Sequence, residues 1–464
     1  MNKDILSRLN HMFYPRSVAV IGAGVDPTKV GHAVMDSLVT GGFNGRIYPI
    51  HTKHDKVLDY PVFRDISELP EVPDLAVVAL NQVASVRLVE KLRDLGVAGA
   101  VVLAGGYAEM GEEGRWLQEN LRLAAGPMPI VGPNTLGLIS THSKLNVTFY
   151  PRKLSEGNVS FLSQSGGIGL AIMAQAYDQG LAFSKWVGVG NRVNVEFHDL
   201  LEYLSQDQHT KVVGVFTEGS GNPRALIDRL KQVSSKKPVV IYKGGHGKFA
   251  DRVTLTHTGS AAGSSRVWEG ALRQSGVEIA QSVNELVSMC KAFSVGDIPK
   301  GPGIGIFTHT AGPSIVAWDI LQQESSCRLA TLSEKTLHDI ADILGPSVPV
   351  VYKNPVDGAA GAFLTKPFHD IAEVVLRDDE VDCLLAIFCE HKNWPYPTEA
   401  LIDLQNRFSK PIVACFIGSV QKMEPDRTRL HEKGIPTYCA PEEAAIGLRS
   451  LLKRRLTVSK FNSV

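Results

Sequence analysis

The sequence has no surplus of either charge: Lys plus Arg and Asp plus Glu each number 48. A chain that grips nucleic acid or an anionic membrane surface needs a basic excess, so small molecules or other proteins are the expected partners. Cysteine is scarce as well. The six, Cys290, Cys327, Cys383, Cys389, Cys415 and Cys439, form no Cys-x-x-Cys pair and sit in or beside apolar runs such as Cys383-Leu384-Leu385. That excludes a disulfide scaffold and reads as free thiols in a reducing compartment. No group of His, Cys or carboxylates has the spacing of a metal site. No apolar run approaches the ~20 residues of a membrane span. Met1-Asn2-Lys3-Asp4-Ile5 lacks the apolar core of a signal peptide. These absences predict a cytoplasmic, soluble chain.

What is present is ordinary: 464 residues, 44% of them hydrophobic. That is enough to bury real cores, and at ~100–200 residues per domain it predicts about three domains. Short β-branched runs alternate with segments of helical period. Ser17-Val18-Ala19-Val20-Ile21, Leu75-Ala76-Val77-Val78-Ala79 and Gly99-Ala100-Val101-Val102-Leu103 are continuous apolar runs, as expected of strands covered on both faces. The alternation predicts an α/β fold with parallel sheets between helices. It pauses at the polar stretch Pro151 to Asn158 and at the Gly- and Pro-rich stretch Gly296 to Gly303. The predicted domains are therefore 1–150, 155–296 and 303–464.

The second and third blocks read as distant repeats. Each opens with a strand running into a small polar turn, Leu162-Ser163-Gln164-Ser165-Gly166-Gly167 and Phe307-Thr308-His309-Thr310-Ala311-Gly312. Each then has a strand followed by Glu (Glu218, Glu390) and a Lys-Pro strand (Lys237-Pro238, Lys410-Pro411). This paired order predicts two related flavodoxin-like domains behind a Rossmann-like first domain.

Several turns carry candidate chemistry. Ile21-Gly22-Ala23-Gly24 begins a dinucleotide fingerprint, but Pro27 stands at the third glycine position. A lone Gly-x-Gly is equally a tight strand-to-helix turn. A NAD site expects a carboxylate near the end of the second strand. Here the strand ends Ile50-His51-Thr52-Lys53, with a cation instead, which suits a phosphorylated adenosine ribose such as that of coenzyme A or NADP. Lys29 adds a cation beside the helix N-terminus, where phosphates bind well. Gly105-Gly106-Tyr107-Ala108-Glu109 and Gly132-Pro133-Asn134 follow strands on the same carboxyl edge. The Ser163–Gly167 turn opens a helix with small residues and makes an anion site. Finally, His257 lies in Thr254-Leu255-Thr256-His257-Thr258-Gly259-Ser260, a run of hydroxylated residues and glycine unlike core packing. It is the candidate nucleophile, with Glu218 as the carboxylate that orients it. His246 is the runner-up; His198 and His391 read as surface or capping residues, the ordinary fate of a lone histidine and the alternative for His51.

The run Thr256-His257-Thr258-Gly259-Ser260 resembles the phosphohistidine loop of the nucleoside-diphosphate-forming acyl-CoA synthetases. Gly132-Pro133-Asn134, Ser163–Gly167, Val189-Gly190-Asn191, Thr217-Glu218-Gly219, Ala311-Gly312-Pro313 and Asn354-Pro355-Val356-Asp357 extend the likeness along nearly the whole chain. The chain resembles the α subunit of the two-subunit, ADP-forming type. The resemblance implies the reaction acyl-CoA + ADP + phosphate ⇌ carboxylate + CoA + ATP, through an acyl phosphate and a phosphohistidine. It maps His257 and Glu218 as catalytic. Phosphate falls to Ser163, Gln164, Ser165, Gly166, Gly167, Ala311 and Gly312, and coenzyme A to Gly22, Ala23, Gly24, Lys29, His51, Lys53 and Asn134. No metal site or tightly bound cofactor is implied in this chain. ATP or ADP with Mg²⁺ belongs to an ATP-grasp module, for which the three blocks leave no room, so a separate β subunit in a heterotetramer-type assembly is expected. Two departures stand out: His309 in the third-block turn, where the family has a glycine-richer run, and Thr135, where relatives often carry Cys. The rival readings are an NADP-dependent oxidoreductase, which leaves the His257 loop unexplained, and a non-catalytic CoA-binding scaffold, against which His257 and Glu218 argue.

Overall fold

In the computed structural model the described residues are 3–150, 152–245, 265–345, 353–359 and 365–462. The apolar runs form strands because their β-branched side chains fit a pleated surface that helices can cover on both faces. Ser17–Ile21 is buried at every position. It is flanked by Arg46–Ile50 and Leu75–Val78, and the sheet continues through Gly99–Val102 to Ile130–Val131. All these pairings are parallel.

The second sheet is built around Glu156–Ser163. Phe183–Gly188 lies on one side of it, and Val212–Thr217, Val239–Lys243 and Glu278–Ala280 follow on the other. The third repeats the plan: Gly303–Thr308 sits between Arg328–Leu329 and Cys383–Cys389, followed by Ile412–Ile417 and Thr437–Tyr438. Numbered in chain order along the path of each sheet, five parallel strands run 2-1-3-4-5 in all three, the flavodoxin-like order; in the third, one more short parallel strand, Val356–Asp357, pairs with Gly303–Thr308 off that path. The switch point of this order, where ligands bind, lies at the carboxyl end of the first strand.

One segment departs from the block reading. Leu138–Ser140 and Leu145–Asn146, which precede residue 150, form an antiparallel hairpin on the edge strand Phe183–Gly188 of the second sheet. The first two sheets accordingly share one compact unit, residues 1–177 with 181–283, while 178–180 with 284–464 form another. In the first unit one apolar core runs from Val18, Val20 and Leu38 through Leu138 and Val147 to Val187, Leu200 and Val213. The second unit has its own core around Phe307, Phe368, Leu384 and Phe416.

The Lys-Pro motif has a mechanical explanation. Lys237 Nζ donates to the carbonyls of Leu204 and Asp207, at the C-terminal end of helix Phe197–Gln206. Lys410 Nζ donates to those of Leu376 and Asp378, at the end of helix Thr365–Arg377. In both sheets an ammonium satisfies orphan carbonyls at the negative end of a helix. Among the described residues no helix is long and apolar enough to cross a membrane.

Candidate functional sites

The carboxyl edge of the first sheet encloses a cavity of about 640 Å³. Gly22 turns the chain out of the first strand at φ +92, and a Cβ there would lie 2.5 Å from the Ala79 carbonyl oxygen. Only glycine meets both conditions. The third glycine role is filled by a residue the spacing did not indicate. The four residues Asp26 to Lys29 delay the helix until Val30. Gly31 then packs against the turn so closely that a Cβ would lie 2.0 Å from the Gly22 carbonyl oxygen. Gly24 is different: it has no positive φ, and a Cβ there meets nothing within 4 Å.

Of the residues read from the sequence, Gly22, Lys29 and His51 line this cavity, while Ala23, Gly24, Lys53 and Asn134 are not on its wall. The Lys53 N–H donates to His51 Nδ1 at 3.1 Å, so the two residues share one turn. Burial pushes the His51 pKa down, reinforced by His54, Lys53 and Arg64. Its ring stacks on His54 with centroids 4.4 Å apart. Arg64 also reaches the wall and was not flagged by any motif. Its guanidinium donates to the His54 carbonyl at 2.8 Å and pairs with Asp55, tying down the loop that carries His51 and Lys53. Among the described residues Asp65 is the one carboxylate on this wall, and it is already committed: it accepts from Ser67 and pairs with Lys91 at 2.5 Å. The Lys91 and Ser67 bonds hold its pKa down to about 2.

At the second sheet, Ser163 Oγ donates to the Ser165 carbonyl at 2.8 Å and shapes the turn into helix Gly166–Asp178. Gly166 and Gly167 are exposed, and a Cβ at Gly167 meets nothing within 4 Å. The Ile168 N–H is capped by Ser165 Oγ at 3.4 Å, while the start of the helix at Gly166 and Gly167 is exposed. Gln164 is buried, and its Oε1 accepts from the N–H of Glu218 at 2.8 Å and of Gly219 at 3.2 Å. It clamps the Ser163 turn to the Glu218 turn. Glu218 follows strand Val212–Thr217 at the same carboxyl edge. His257 and His246 lie outside the described residues. A buried cation that the sequence did not reveal is Arg192, at φ +57, whose Nε lies 3.3 Å from Glu196.

In the other unit, the turn before helix Ala311–Leu321 repeats this design. Thr308 Oγ1 donates to the Thr310 carbonyl at 2.9 Å. Ala311 and Gly312 are exposed, and a Cβ at Gly312 also meets nothing within 4 Å. His309 is the counterpart of Gln164. It is buried, and its Nε2 accepts from the Cys389 N–H at 3.3 Å. Burial pushes its pKa down to about 4, with Asp357 opposing, so it is neutral near pH 7. The extra histidine is thus a hydrogen-bond acceptor where Gln164 supplies an amide oxygen, not an added cation. Thr135 is buried: its hydroxyl donates to the Gly188 carbonyl and accepts from the Gly137 N–H at 3.0 Å. Among the described residues no three His, Cys, Asp or Glu side chains could hold a metal ion.

Comparison with known proteins accords with this geometry. Residues 16–141 match the CoA binding domain, and residues 156–293 the succinyl-CoA ligase like flavodoxin domain. The chain is 34% identical over 461 residues to the acetate–CoA ligase [ADP-forming] II subunit alpha of Pyrococcus furiosus, covering 97% of this chain and 98% of that one. It is 33% identical to acetate–CoA ligase [ADP-forming] I of Archaeoglobus fulgidus, covering 97% of this chain but 64% of that protein. A solved structure of Ca. Korarchaeum cryptofilum dinucleotide forming acetyl-coenzyme A synthetase 1, in complex with phosphate and ADP, superposes with a TM-score of 0.88 at 28% identity, covering 97% of this chain and 98% of that one. On this likeness across its whole described architecture, the chain belongs to the ADP-forming acetate–CoA ligase family and corresponds in extent to its alpha subunit.

Proposed function

We propose that this chain is the α subunit of an ADP-forming acyl-CoA synthetase. It binds coenzyme A at the first sheet and passes a phosphoryl group through His257. The observation that carries the reading is the cavity of about 640 Å³ at the first switch point, walled by Gly22, Lys29, His51 and Arg64 and with the carboxylate on its wall, Asp65, already engaged. Such a wall favours a phosphorylated ribose over a bare 2′-hydroxyl.

In the forward reaction, inorganic phosphate attacks the thioester carbonyl. The C–S bond breaks, the CoA thiolate leaves and takes up a proton, and an acyl phosphate remains. An imidazole nitrogen of His257 then attacks phosphorus, and the carboxylate departs. The phosphohistidine passes its phosphoryl group to ADP, giving ATP and free histidine. Glu218 accepts a hydrogen bond from the other ring nitrogen and stabilises the charged imidazole. The exposed N-termini at Gly166-Gly167 and at Ala311-Gly312 each offer N–H groups and a helix dipole that favour phosphate. Bound Mg²⁺ and nucleotide would supply charge neutralisation on an ATP-grasp partner subunit, in a heterotetramer-type assembly. In support, the Archaeoglobus relative, whose name carries no subunit, extends well past the 64% that this chain covers.

Titration of the full chain with CoA and with NADPH tests the first half: tight NADPH binding without CoA binding refutes it. Incubation with a β subunit and radiolabelled ATP tests the second. We expect an acid-labile label on the wild-type chain and none on His257→Ala, which keeps CoA binding. A mutant that still turns over refutes the mechanism. Full CoA-thioester synthesis by the purified chain alone refutes the need for a partner.

A further inference from the structure

Three loops that stand far apart in sequence meet at one point on the first unit. They are Gly105–Glu109 after the fourth strand of the first sheet, Gly132–Asn134 after its fifth, and Gly190–Asn191 after strand Phe183–Gly188 of the second. Backbone bonds dock them: the Asn134 N–H donates to the Ala104 carbonyl at 2.8 Å, and the Asn191 N–H to the Pro133 carbonyl at 2.9 Å. The approach is close enough that a Cβ at Gly190 would lie 2.2 Å from the Pro133 carbonyl oxygen.

A single carboxylate sits at the centre. Glu109 Oε1 accepts from the Gly106 N–H at 2.6 Å, and Oε2 accepts from Asn191 Nδ2 at 2.6 Å. Asn191 Nδ2 also reaches Gln118 Oε1 at 2.9 Å, so its amide orientation is set from two sides. With the nitrogen held, Asn191 Oδ1 faces away and accepts from Asn134 Nδ2 at 3.4 Å. Gly105 closes the ring, since a Cβ there would lie 3.1 Å from Asn134 Oδ1 and 3.2 Å from Glu109 Oε1. Asn134 itself is exposed and held at φ +58, at the carboxyl edge where a ligand of the first sheet would extend. Burial raises the Glu109 pKa, but the bonds from Asn191 and from backbone N–H groups outweigh it and hold the carboxyl below its ordinary range.

We propose that Glu109 is a positioning residue: through Asn191 it fixes the direction in which the exposed Asn134 amide presents itself to coenzyme A. The inference rests on the CoA reading above. A charged acceptor is suited to the task because its bonds are short and strong, and because a carboxylate accepts on both oxygens from two loops at once. Glutamine offers one oxygen and one amino group, so it leaves an N–H facing an N–H.

The test is calorimetric titration of the full chain with CoA, for the wild type, Glu109→Gln, Glu109→Ala, Asn134→Ala and the Glu109→Ala/Asn134→Ala double variant. We expect Glu109→Ala to weaken CoA binding about ten-fold, the equivalent of one charge-assisted hydrogen bond. Glu109→Gln should fall in between. The double variant should bind no more weakly than Asn134→Ala alone, because Glu109 acts through Asn134. Losses that multiply, an Asn134→Ala variant that binds like the wild type, or a Glu109→Ala variant that does so, each overturn the proposal. Should Glu109→Ala not fold, the near-isosteric Glu109→Gln carries the same cycle. A wild-type chain that does not bind CoA overturns both this inference and the CoA reading; multiplying losses on a wild type that does bind overturn this one alone.

Discussion

Glu218 directly follows strand Val212–Thr217 of the second sheet, and Glu390 directly follows strand Cys383–Cys389 of the third. The strand order around them is the same, and so is the turn chemistry before the first helix of each sheet. Yet Glu390 is tied into its own unit, accepting from Lys422 Nζ at 2.5 Å and from the Ser419 N–H at 2.8 Å. At Glu218 it is the backbone N–H that is bound, by Gln164 Oε1 at 2.8 Å. The duplicated architecture keeps its backbone contacts and lets side chains at matching positions diverge. Asp207 and Asp378 show the same thing. Both lend a carbonyl to the Lys-Pro lysine. But Asp207 carries a buried ion pair with Lys185 at 2.7 Å, whereas Asp378 accepts from the Ser333 and Glu380 N–H groups.

The largest expected break is between the glutamates. Glu218→Gln should lower turnover by about 10²-fold or more, the scale of a group acting in proton transfer or its support. Glu390→Gln should leave turnover within a factor of two. Steady-state assays with the β subunit decide it, and equal damage from both would end the division of labour.

Next come the aspartates. Asp207→Ala strands the Lys185 ammonium in the core and should cost about 3–5 kcal/mol. Asp378→Ala removes an acceptor from two backbone N–H groups and should cost about 1–3 kcal/mol. Urea unfolding of the two variants gives the difference directly.

A pH effect separates His309 from Gln164. The His309 pKa is held near 4 in the folded chain, below its ordinary value of 6.5. The unfolded chain therefore binds the extra proton first. The stability that His309 contributes is fully present above about pH 6.5 and is lost as pH falls from there towards 4, by at most about 3 kcal/mol. In His309→Gln, which copies the second sheet, that part of the slope should disappear from the pH dependence of unfolding. An unchanged slope would mean that the histidine is not the acceptor it is taken to be.

The smallest effect is shared by both sheets. Gly167 and Gly312 lie in the first turns of helices with open space where a Cβ would stand. Alanine should stabilise either helix by about 1 kcal/mol, yet weaken phosphate binding, because the new methyl enters the space over the N–H groups. Stabilisation without any loss of phosphate affinity would leave these glycines without a functional reason.

Much of this arrangement was legible in the chain. Strands covered on both faces must be short continuous apolar runs, so Val18, Val77, Val213 and Leu385 announced themselves, and the order of Glu and Lys-Pro motifs disclosed the repeat. Local turn chemistry placed Gly22, Ser163 and Thr308, because a strand-to-helix turn draws on residues only a few positions apart. What could not be read there depends on neighbours distant in sequence. Gly31 replaces the missing third glycine because an insertion moves the helix start, and only the folded turn shows which residue then touches Gly22. Arg64 joins the cavity through carbonyls of residues 51 and 54, and Glu109 reaches Asn191 across 82 positions. The hairpin 138–146 pairs with a strand some forty residues later. Periodicity records which face of an element is apolar. It holds no information about which polar side chains from separate loops will share one hydrogen bond, since that is settled by where the packed sheets bring the loops together.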